Sequence, residues 1–377
     1  MRKVISGSVA VAHAVRLCKP KVVAAYPITP STIIVEKISE FVANGELDAE
    51  FIPVESEHSA CSACLGAVAA GVRAFTATAS QGLKLMSEVL FNAAGMRLPF
   101  VIAVGNRSLS APINIWCDHS DSFAERDSGF IQFYAKNAQE AFDTIIMAYK
   151  VAENKDVMLP AMVCLDGFIL THTYEPVDIA EEELVDSYLP PYNPPYKLDP
   201  ENPVSMGTWA SPAYYQDFKK AQQEAMEKAR DVIVKANDEF GKIFGRKYGN
   251  GRIEVLNEDA KNAIITIGSV AESFEYVIEK HNLNFALIRI KTFRPFPEED
   301  LINICANYEK IGVFEKMVSL GSTGAIYAEL RSVLYELEAK PKILEFIGGL
   351  GGRDVNERNI LDVIKKIDEK DRGIFWI

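Results

Sequence analysis

The sequence predicts an α/β protein: a parallel sheet with helices on both faces, followed by a second, smaller α/β domain. Three observations support this fold class. Short apolar runs alternate with helical patterns of about 10–15 residues, as crossover units require. A proline-rich stretch at 189–203 interrupts the alternation, which resumes at Ala263. The 377 residues also suffice for about two or three domains of ordinary size.

The first domain is expected to begin with a strand and a helix. An export leader is disfavoured there, because Ser6, Gly7, Ser8 and His13 break the apolar stretch. The following apolar runs predict strands at Val22–Ala25, Phe51–Val54, Ala74–Thr78, Phe100–Val104 and Leu159–Leu165, and helices at Thr32–Val42, Ser56–Ala70, Gln81–Ala94 and Gln139–Glu153. Ligands of parallel sheets bind at the carboxyl ends of strands, so we expect the site in the loops after Tyr26, Val54, Thr78 and Gly105.

A change in composition marks the connection between the domains. Prolines at 190, 191, 194 and 195 exclude a helix and a central strand, which predicts an extended segment on the surface. Tyr214–Phe244 is a polar helical stretch with small or apolar residues four apart, at Ala221, Ala225, Ala229 and Ile233. Its charged face predicts a connector helix rather than a core helix.

The second alternating unit predicts a smaller domain. Its expected strands are Ala263–Ile267, Phe285–Ile290, Ile311–Glu315 and Lys342–Ile347, and its expected helices are Ala271–Glu279, Glu298–Ala306 and Gly324–Leu337. The predicted division is therefore 1–175 for the first domain, 176–258 for the connection with its helix, and 259–377 for the second domain.

Charge and composition disfavour several classes of function. A net charge of −12 disfavours general nucleic-acid binding, which needs cationic patches. The longest apolar candidate, Ala60–Val72, is shorter than the ~20 residues of a membrane helix. Six scattered cysteines are too few for a disulfide scaffold and suit a reducing compartment, so we expect a cytoplasmic protein without membrane contact.

The loop after Val22–Ala25 is a candidate site because it places Thr29 between two prolines, in Tyr26-Pro-Ile-Thr-Pro-Ser31. The prolines fix the backbone, so the threonine hydroxyl is presented at the strand end. The alternative is an ordinary strand-to-helix turn with Ser31 as the N-cap, and the pattern alone favours it.

Glu57 is a second candidate, in the first turn of a helix that is apolar almost all round and therefore buried. A buried carboxylate at the mouth of such a helix can hold or exchange a proton. The alternative is a first-turn acid that favours the helix dipole, typically by ~0.3–1 kcal/mol. The pattern does not decide between these two roles.

Two further loops carry polar residues at strand ends. Ala79-Ser-Gln-Gly82 can offer backbone donors to an anion. Arg107 can bind a carboxylate through two hydrogen bonds, although a surface ion pair with a nearby Asp is the commoner role of a lone arginine. Cys61 and Cys64 favour close helix packing over a metal site, since one pair supplies too few ligands. Gly348–Gly352 predicts a tight loop at an interface.

Taken in order, these loops resemble one family. The alpha subunits of 2-oxoacid:ferredoxin oxidoreductases contain similar motifs, and this chain matches them in Tyr26-Pro-Ile-Thr-Pro, Val54-Glu-Ser-Glu-His-Ser, Phe75-Thr-Ala-Thr-Ala-Ser-Gln-Gly-Leu, Leu109-Ser-Ala-Pro-Ile-Asn-Ile-Trp and Asp118-His-Ser-Asp121. The resemblance continues through 240–248, 293–297 and 348–354, so it covers nearly the whole chain. It implies a pyrimidine domain of the thiamine-diphosphate-binding type, followed by a domain like the C-terminal one of transketolase.

The resemblance also implies a reaction. These enzymes decarboxylate a 2-oxoacid oxidatively on thiamine diphosphate, pass electrons to ferredoxin and deliver the acyl group to coenzyme A, or run in reverse. Glu57 matches the glutamate that hydrogen-bonds the aminopyrimidine ring, and Thr29 and Arg107 match the substrate-binding threonine and arginine. The expected cofactor contacts also include Pro27, Ile28, Ser80 and Gln81.

Two motifs missing from the sequence predict partner subunits. The Gly-Asp-Gly motif that holds magnesium and diphosphate is not found, since Leu165-Asp-Gly167 lacks the first glycine. The cysteines form no cluster suited to an iron–sulfur centre. The family therefore implies a beta subunit that holds Mg²⁺ and the diphosphate, gamma and delta subunits with the 4Fe-4S clusters among the partners, and a dimer of heteromers.

Pyruvate is the favoured substrate. The segment Gly7–His13 and the terminal Phe375-Trp-Ile377 are similar to oxalate-oxidising members, but those place an arginine where this chain has Thr29. The alternatives are 2-oxoisovalerate, 2-oxoglutarate or oxalate. A non-catalytic assembly subunit is an alternative of another class, disfavoured because it requires none of Glu57, Thr29 and Arg107. A self-sufficient transketolase-like enzyme is disfavoured by the missing diphosphate motif.

Overall fold

The computed structural model describes the backbone of residues 1–377 and every side chain except that of Glu336. The strands are β1 Arg2–Ser6, β2 Val22–Ala25, β3 Glu50–Pro53, β4 Ala74–Thr78, β5 Val101–Asn106, β6 Ile131–Tyr134, β7 Ala161–Asp166, β8 Tyr174–Asp178, β9 Ile253–Leu256, β10 Asn262–Ile267, β11 Phe285–Ile290, β12 Thr292–Arg294, β13 Lys310–Glu315, β14 Lys342–Ile347 and β15 Gly373–Trp376.

The helices are α1 Gly7–Cys18, α2 Thr32–Ala43, α3 Glu57–Ala69, α4 Ser80–Leu85, α5 Ser87–Gly95, α6 Ser120–Phe123, α7 Ala138–Ala152, α8 Glu182–Tyr188, α9 Pro212–Phe244, α10 Val270–Lys280, α11 Glu298–Cys305, α12 Ala325–Val333 and α13 Glu357–Glu369. Short 3₁₀ turns follow at Leu334–Glu336 and Leu350–Gly352.

The first sheet has seven strands in the spatial order β12-β6-β7-β5-β4-β2-β3. The pairs from β6 to β3 are parallel, and β12 adds antiparallel beside β6. Side chains alternate between two apolar layers: Val101 and Ala103 face the layer with α1, α2 and α7, while Ile102 and Val104 face the layer with α3 and α5. The predicted parallel sheet covered on both faces is confirmed.

The second sheet has the order β15-β14-β13-β10-β11-β9, parallel except for β9. One apolar layer runs without a break from the first sheet to the second, since Ile102 and Val104 share it with Ile265 and Ile288. Helices α10 and α13 cover the opposite face of the second sheet. This shared layer therefore fixes the second domain next to the carboxyl edge of the first sheet.

Strand pairing crosses the predicted division of the chain. β9 lies within 176–258 but pairs with the second sheet, and β12 lies within 259–377 but pairs with β6 of the first sheet. Both strands are short, so neither carries a periodic apolar signal that sequence can detect. The division at 175 and 258 remains a prediction.

The long helix α9 combines two environments. It begins with Pro212 at its first position and ends at Gly245, whose φ of 73° is left-handed. Its first turns are exposed, but from Ala225 onward it packs into the first domain's core through Ala225, Ala229, Ile233, Ala236 and Phe240. The predicted connector role is therefore wrong from Ala225 onward, because a narrow apolar stripe suffices for close packing. No described helix has the length and apolarity needed to cross a membrane.

A buried ion network joins the two domains. Glu140, in the first turn of α7, accepts hydrogen bonds from Arg289 Nη2 and Lys291 Nζ of the second domain, each at 2.8 Å. Burial opposes ionisation, but Arg289 and Lys291 lower the pKa of Glu140 to about 2. Lys291 also donates to Thr144 Oγ1 at 2.7 Å. Because each charge has a partner, this network resists any rearrangement of the domains.

Candidate active site

Four loops of the first domain meet where strands β2, β3, β4 and β5 end. Thr29 follows β2, Glu57 follows β3, Ser80 follows β4 and Arg107 follows β5. Arg107 Nη1 donates to the Thr29 carbonyl oxygen at 3.1 Å, and the Ser80 hydroxyl donates to the Ser108 carbonyl oxygen at 2.6 Å. Parallel strands thus bring together residues that are 78 positions apart in the chain.

Glu57 opens helix α3 directly after its N-cap. Ser56 Oγ accepts the Ser59 N–H at 3.2 Å, which fixes the first turn. Glu57 is 7% exposed, which confirms the predicted burial. Among the described residues, none donates a hydrogen bond to its carboxylate, and its oxygens are not among the fully enclosed unpartnered atoms, so they reach the protein surface. Its oxygens are therefore available to a ligand.

Gly82 keeps that carboxylate in place. A Cβ added at position 82 would lie 2.5 Å from Glu57 Oε1 and 2.6 Å from Thr78 Oγ1, so any side chain there would displace them. Thr78 Oγ1 is itself buried without a hydrogen-bond partner in the described part of the chain. A carboxylate and a hydroxyl, both without internal partners, thus lie next to each other. Of the two, only the Glu57 carboxylate reaches the surface, because the Thr78 hydroxyl is fully enclosed.

Arg107 is held by neutral partners. It is 9% exposed, and its Nε donates to the Asn114 carbonyl oxygen at 3.0 Å while Nη1 donates to that of Thr29. No carboxylate of the described residues forms a salt bridge with it, so the surface ion pair weighed as its alternative role is wrong. Carbonyl oxygens fix the guanidinium without neutralising it, which leaves its charge for an anionic ligand.

Asp121 organises these loops, and sequence reasoning assigned it no role. Its carboxylate is fully buried and accepts the backbone N–H groups of Ser80 (2.9 Å) and Arg107 (3.0 Å) and the side chain of Asn106 (2.8 Å). Burial raises its pKa to about 6, although Asn106 and the two N–H groups oppose this. The only signal was an acid in a loop of small polar residues, which does not reveal partners 14 and 41 positions away.

The hydrogen bonds of Asp121 contradict one prediction made from the sequence. The Ala79–Gly82 junction was predicted to offer backbone donors to an anion, but the Ser80 N–H already binds this internal carboxylate. The Ser80 hydroxyl is also used internally, by Ser108 and by Gln81 Oε1 at 2.5 Å. Ser80 is fully buried, whereas the neighbouring Gln81 is exposed.

In the turn after β2, Ser31 precedes helix α2 but does not cap it with its side chain. Ser31 makes no cap hydrogen bond; its hydroxyl donates to the Ile28 carbonyl oxygen at 2.8 Å and closes the turn on itself. Pro27 and Thr29 are exposed and Ile28 is half-buried, so all three border the strand edge. Ser31 therefore stands at the N-cap position of α2, as the pattern alone favoured, but its side chain does not cap the helix.

A buried cluster lies where the second domain meets this edge. Asp166, at the end of β7, accepts hydrogen bonds from Lys316 Nζ (2.7 Å) and Ser269 Oγ (2.6 Å) and lies 2.7 Å from His119 Nε2. Burial opposes ionisation, but Lys316 and His119 hold the pKa of Asp166 well below its ordinary value. Cys117, His119 and Asp166 have potential metal-ligand atoms within 4.8 Å of one another. The Lys316 ammonium already balances the carboxylate, which favours an ion pair over a cation site.

The cysteine pair in α3 is buried. Burial raises the pKa of the Cys64 thiol to about 12, and its Sγ contacts the Phe75 carbonyl oxygen at 3.3 Å. Burial raises the pKa of Cys61 as well. Both side chains are therefore protonated thiols that pack between α3 and the sheet, as the spacing predicted.

Comparison with known proteins identifies the family of this chain. Residues 13–238 match the family model of the pyruvate flavodoxin/ferredoxin oxidoreductase thiamine-diphosphate-binding domain. Residues 260–360 match that of the pyruvate:ferredoxin oxidoreductase core domain II. These matches and the fold define a chain of the thiamine-diphosphate-binding class. The chain belongs to the pyruvate:ferredoxin oxidoreductase family.

Curated relatives match along almost their full length. Pyruvate synthase subunit PorA of Methanocaldococcus jannaschii is 52% identical over 100% of this chain and 97% of its own length. PorA of Pyrococcus furiosus is 52% identical over 98% and 94%. Ketoisovalerate oxidoreductase subunit VorA of Pyrococcus abyssi is 44% identical over 100% and 97%.

A solved structure shares the fold. It is the 2-oxoglutarate:ferredoxin oxidoreductase from Magnetococcus marinus with 2-oxoglutarate, coenzyme A and succinyl-CoA bound. The match has a TM-score of 0.74 at 20% identity and covers 97% of this chain. This chain spans 65% of the solved chain, so the likeness supports the α/β architecture.

Proposed function

We propose that this chain is the alpha subunit of a heteromeric pyruvate:ferredoxin oxidoreductase. The complex would decarboxylate pyruvate oxidatively to acetyl-CoA and CO₂ with electrons passed to ferredoxin, or catalyse the reverse synthesis. One observation carries the proposal: a buried carboxylate without internal donors, Glu57, lies at the same strand edge as Arg107, a buried guanidinium without a counter-charge. The relatives named pyruvate synthase subunit PorA favour pyruvate.

The residues present fit the aminopyrimidine side of thiamine diphosphate. That cofactor, when bound, supplies the electron sink for decarboxylation. Glu57 would hold a proton shared with a ring nitrogen, because its oxygens lack internal donors and its burial strengthens such a bond. Thr78 Oγ1 packs beside the Glu57 carboxylate without a hydrogen bond to it. Pro27, Ile28 and Gln81 would border the ring, whereas Ser80, fully buried with its hydroxyl bonded internally, would not contact it.

Arg107 would bind the carboxylate of the 2-oxoacid. Its Nε and one Nη1 hydrogen are held by carbonyl oxygens, and its Nη2 hydrogens point to no described partner. A guanidinium fixed in this way can receive a carboxylate through parallel hydrogen bonds. Thr29, whose carbonyl contacts Arg107, would present its exposed hydroxyl to another oxygen of the same substrate.

The rest of the machinery belongs to partners. We propose that a beta subunit holds Mg²⁺ and the diphosphate, that 4Fe-4S clusters lie only in partner subunits, and that gamma and delta subunits complete a dimer of heteromers serving ferredoxin and coenzyme A. The free cysteines of this chain, Cys18, Cys61, Cys64, Cys117, Cys164 and Cys305, are all buried. Buried free thiols suit a reducing compartment, and we propose the cytoplasm.

A branched-chain 2-oxoacid is the second candidate substrate, since VorA relatives are 44% identical over the whole chain. The test uses the natively purified complex. Thiamine- and coenzyme A-dependent reduction of a low-potential acceptor is measured with pyruvate, 2-oxobutyrate, 2-oxoisovalerate, 2-oxoglutarate and oxalate. The highest kcat/KM for pyruvate supports the proposal. A profile led by another acid keeps the mechanism and replaces the substrate, and no activity with any acid indicates a non-catalytic subunit.

A further inference from the structure

The loop that follows Arg107 is held by the second domain. The 107–119 loop spans the residues from Arg107 to His119, at the carboxyl edge of the first sheet. The Gly352 N–H donates to the Cys117 carbonyl oxygen at 2.7 Å, and the His119 N–H donates to that of Lys316 at 2.9 Å. The loops that follow β13 and β14 of the second domain therefore determine where this loop lies.

The contact depends on two glycines of the 348–352 loop. Gly351 and Gly352 have φ values of 59° and 77°, a left-handed conformation that favours glycine. A Cβ at position 351 would lie 2.6 Å from Asn114 Nδ2, and one at position 352 would lie 2.4 Å from Trp116 Cβ. Only a backbone without side chains can approach the 107–119 loop this closely. The predicted interface role of the glycine-rich segment is confirmed.

Asn114 connects that contact to the arginine. Its Nδ2 donates to the Gly351 carbonyl oxygen at 3.0 Å, and its Oδ1 accepts the Trp116 N–H at 2.7 Å. Its own carbonyl oxygen accepts Arg107 Nε at 3.0 Å. The side chain of Asn114 thus fixes the backbone that holds the guanidinium. No other side chain described in the structure bridges the 348–352 loop and a carbonyl partner of Arg107.

We infer that Asn114 is a positioning residue through which the second domain sets the orientation of Arg107 for the substrate carboxylate. The inference rests on the proposed function and adds a role for the second domain in it. A bidentate arginine–carboxylate bond requires the two groups to lie in one plane. Loss of the Asn114 side chain releases one of the two carbonyls that set this plane, so productive substrate binding becomes rarer while the cofactor side at Glu57 is untouched.

The test compares two asparagines in the assembled complex. Asn114→Ala removes the bond to Gly351, and Asn237→Ala is the matched control. Asn237 is buried in α9, where its Nδ2 donates to the Gly249 carbonyl oxygen at 3.2 Å and its Oδ1 accepts the Tyr248 N–H at 3.2 Å. The two side chains make the same pair of bonds, but Asn237 does so away from the site. A purely structural effect would be similar in both variants.

The expected result is a rise in KM. For Asn114→Ala we expect KM for the 2-oxoacid to rise about tenfold, the effect of one lost positioning hydrogen bond, with a smaller change in kcat and none in KM for coenzyme A. Asn114→Asp keeps the acceptor but loses the donor, and should also raise KM. Asn237→Ala should leave KM at the wild-type value. Equal KM values in Asn114→Ala and wild type would overturn the inference.

Arg107→Lys separates this inference from the proposed function. If Arg107→Lys raises KM for the 2-oxoacid and Asn114→Ala does not, the proposed function stands and the positioning role is wrong. If Arg107→Lys leaves that KM unchanged, Arg107 does not bind the substrate carboxylate and the positioning role is wrong, whereas the proposed function itself is decided by the substrate profile of the complex. Gly351→Ala tests the contact from the second domain and should reproduce the rise in KM.

Discussion

Each domain places a buried glutamate at the carboxyl edge of its sheet, and the two glutamates have different surroundings. Glu57 opens α3 in the first domain and is 7% exposed, and no described group donates to its carboxylate. Glu315 ends β13 in the second domain, is 1% exposed, and accepts the backbone N–H groups of Ile326 and Tyr327 in α12, each at 3.0 Å. Glu57 is therefore available to a ligand, whereas Glu315 satisfies the free N–H groups at the start of α12.

A glycine accompanies each carboxylate. A Cβ at Gly82 would lie 2.5 Å from Glu57 Oε1, and a Cβ at Gly324 would lie 2.0 Å from Glu315 Oε1. The local packing is thus similar at both edges. The comparison teaches that burial of an acid does not by itself indicate function: what distinguishes Glu57 is the missing internal partner, because a buried group that no protein atom satisfies is left for something else.

The largest expected effect is on turnover. Glu57→Gln cannot hold a shared proton in the same way, so we expect kcat of the assembled complex to fall by about 10²–10⁴-fold, the usual range for a lost acid–base group. Glu315→Gln is the matched control, with the same substitution at the other edge, and should keep kcat. Both are measured by pyruvate-dependent reduction of a low-potential acceptor. Equal kcat values for Glu57→Gln and Glu315→Gln would show that the two glutamates do not differ in function.

The second expected effect is on stability. Glu140 has two cationic partners from the other domain, so Glu140→Gln leaves Lys291 buried without a counter-charge and Arg289 with Glu254 as its single carboxylate partner. Breaking such a network costs about 3–5 kcal/mol. Chemical denaturation should show this loss, while the activity per folded complex is kept. A stable variant would show that the network is not what joins the domains.

The third expected effect distinguishes Gly82, beside Glu57, from Gly324, beside Glu315. Overpacking a filled site costs typically about 1–3 kcal/mol, so Gly82→Ala and Gly324→Ala should both lower stability by about that amount. Only Gly82→Ala displaces the free carboxylate, and we expect it alone to weaken activation by thiamine diphosphate. Titration of the complex with the cofactor, followed by activity, measures this. Equal cofactor requirements in both variants would contradict the account.

The fourth expected effect is a gradual dependence of stability on pH. Burial raises the pKa of Glu315 from 4.5 to about 8, although the N–H groups of Tyr327 and Ile326 oppose the rise. The folded protein therefore retains this proton when the unfolded chain has lost it, and stability falls as pH rises from about 4.5 to about 8. The slope is at most about 1.4 kcal/mol per pH unit. Glu315→Gln should flatten the profile of unfolding free energy, and an unchanged slope would assign the effect elsewhere.

The sequence predicted long, continuous elements well. β11 and β14 have the predicted bounds, because buried parallel strands are nearly continuous apolar runs, interrupted here by Arg289 in β11 and by Glu345 in β14. β6 and β12 were missed because each is only three or four residues long and is stabilised by pairing with the other. The predicted helix Gln81–Ala94 is broken at Met86 into α4 and α5, which apolar spacing does not reveal.

The candidate site could be located from the sequence, but its contacts could not. The loops made Thr29, Glu57 and Arg107 candidates, since strand ends of a parallel sheet meet, and the resemblance to the family selected them over their ordinary structural roles. Their roles as cofactor and substrate contacts remain predictions. Asp121 and Asn114 act through partners on other loops, and nothing local indicates such partners. Arg107 is an example. Its hydrogen-bond acceptors are neutral carbonyl oxygens and not the carboxylate of a surface ion pair, and only the folded structure shows this.

The most direct test of the central claim is the exchange of the C2 hydrogen of thiamine diphosphate bound to the assembled complex. Wild type and Glu57→Gln are mixed with deuterium oxide for timed intervals, quenched, and compared by NMR, with Glu315→Gln as the control. We predict that exchange slows by about 10²-fold or more in Glu57→Gln and is unchanged in Glu315→Gln. Wild-type exchange in Glu57→Gln, with the cofactor bound, would contradict the role proposed for this carboxylate.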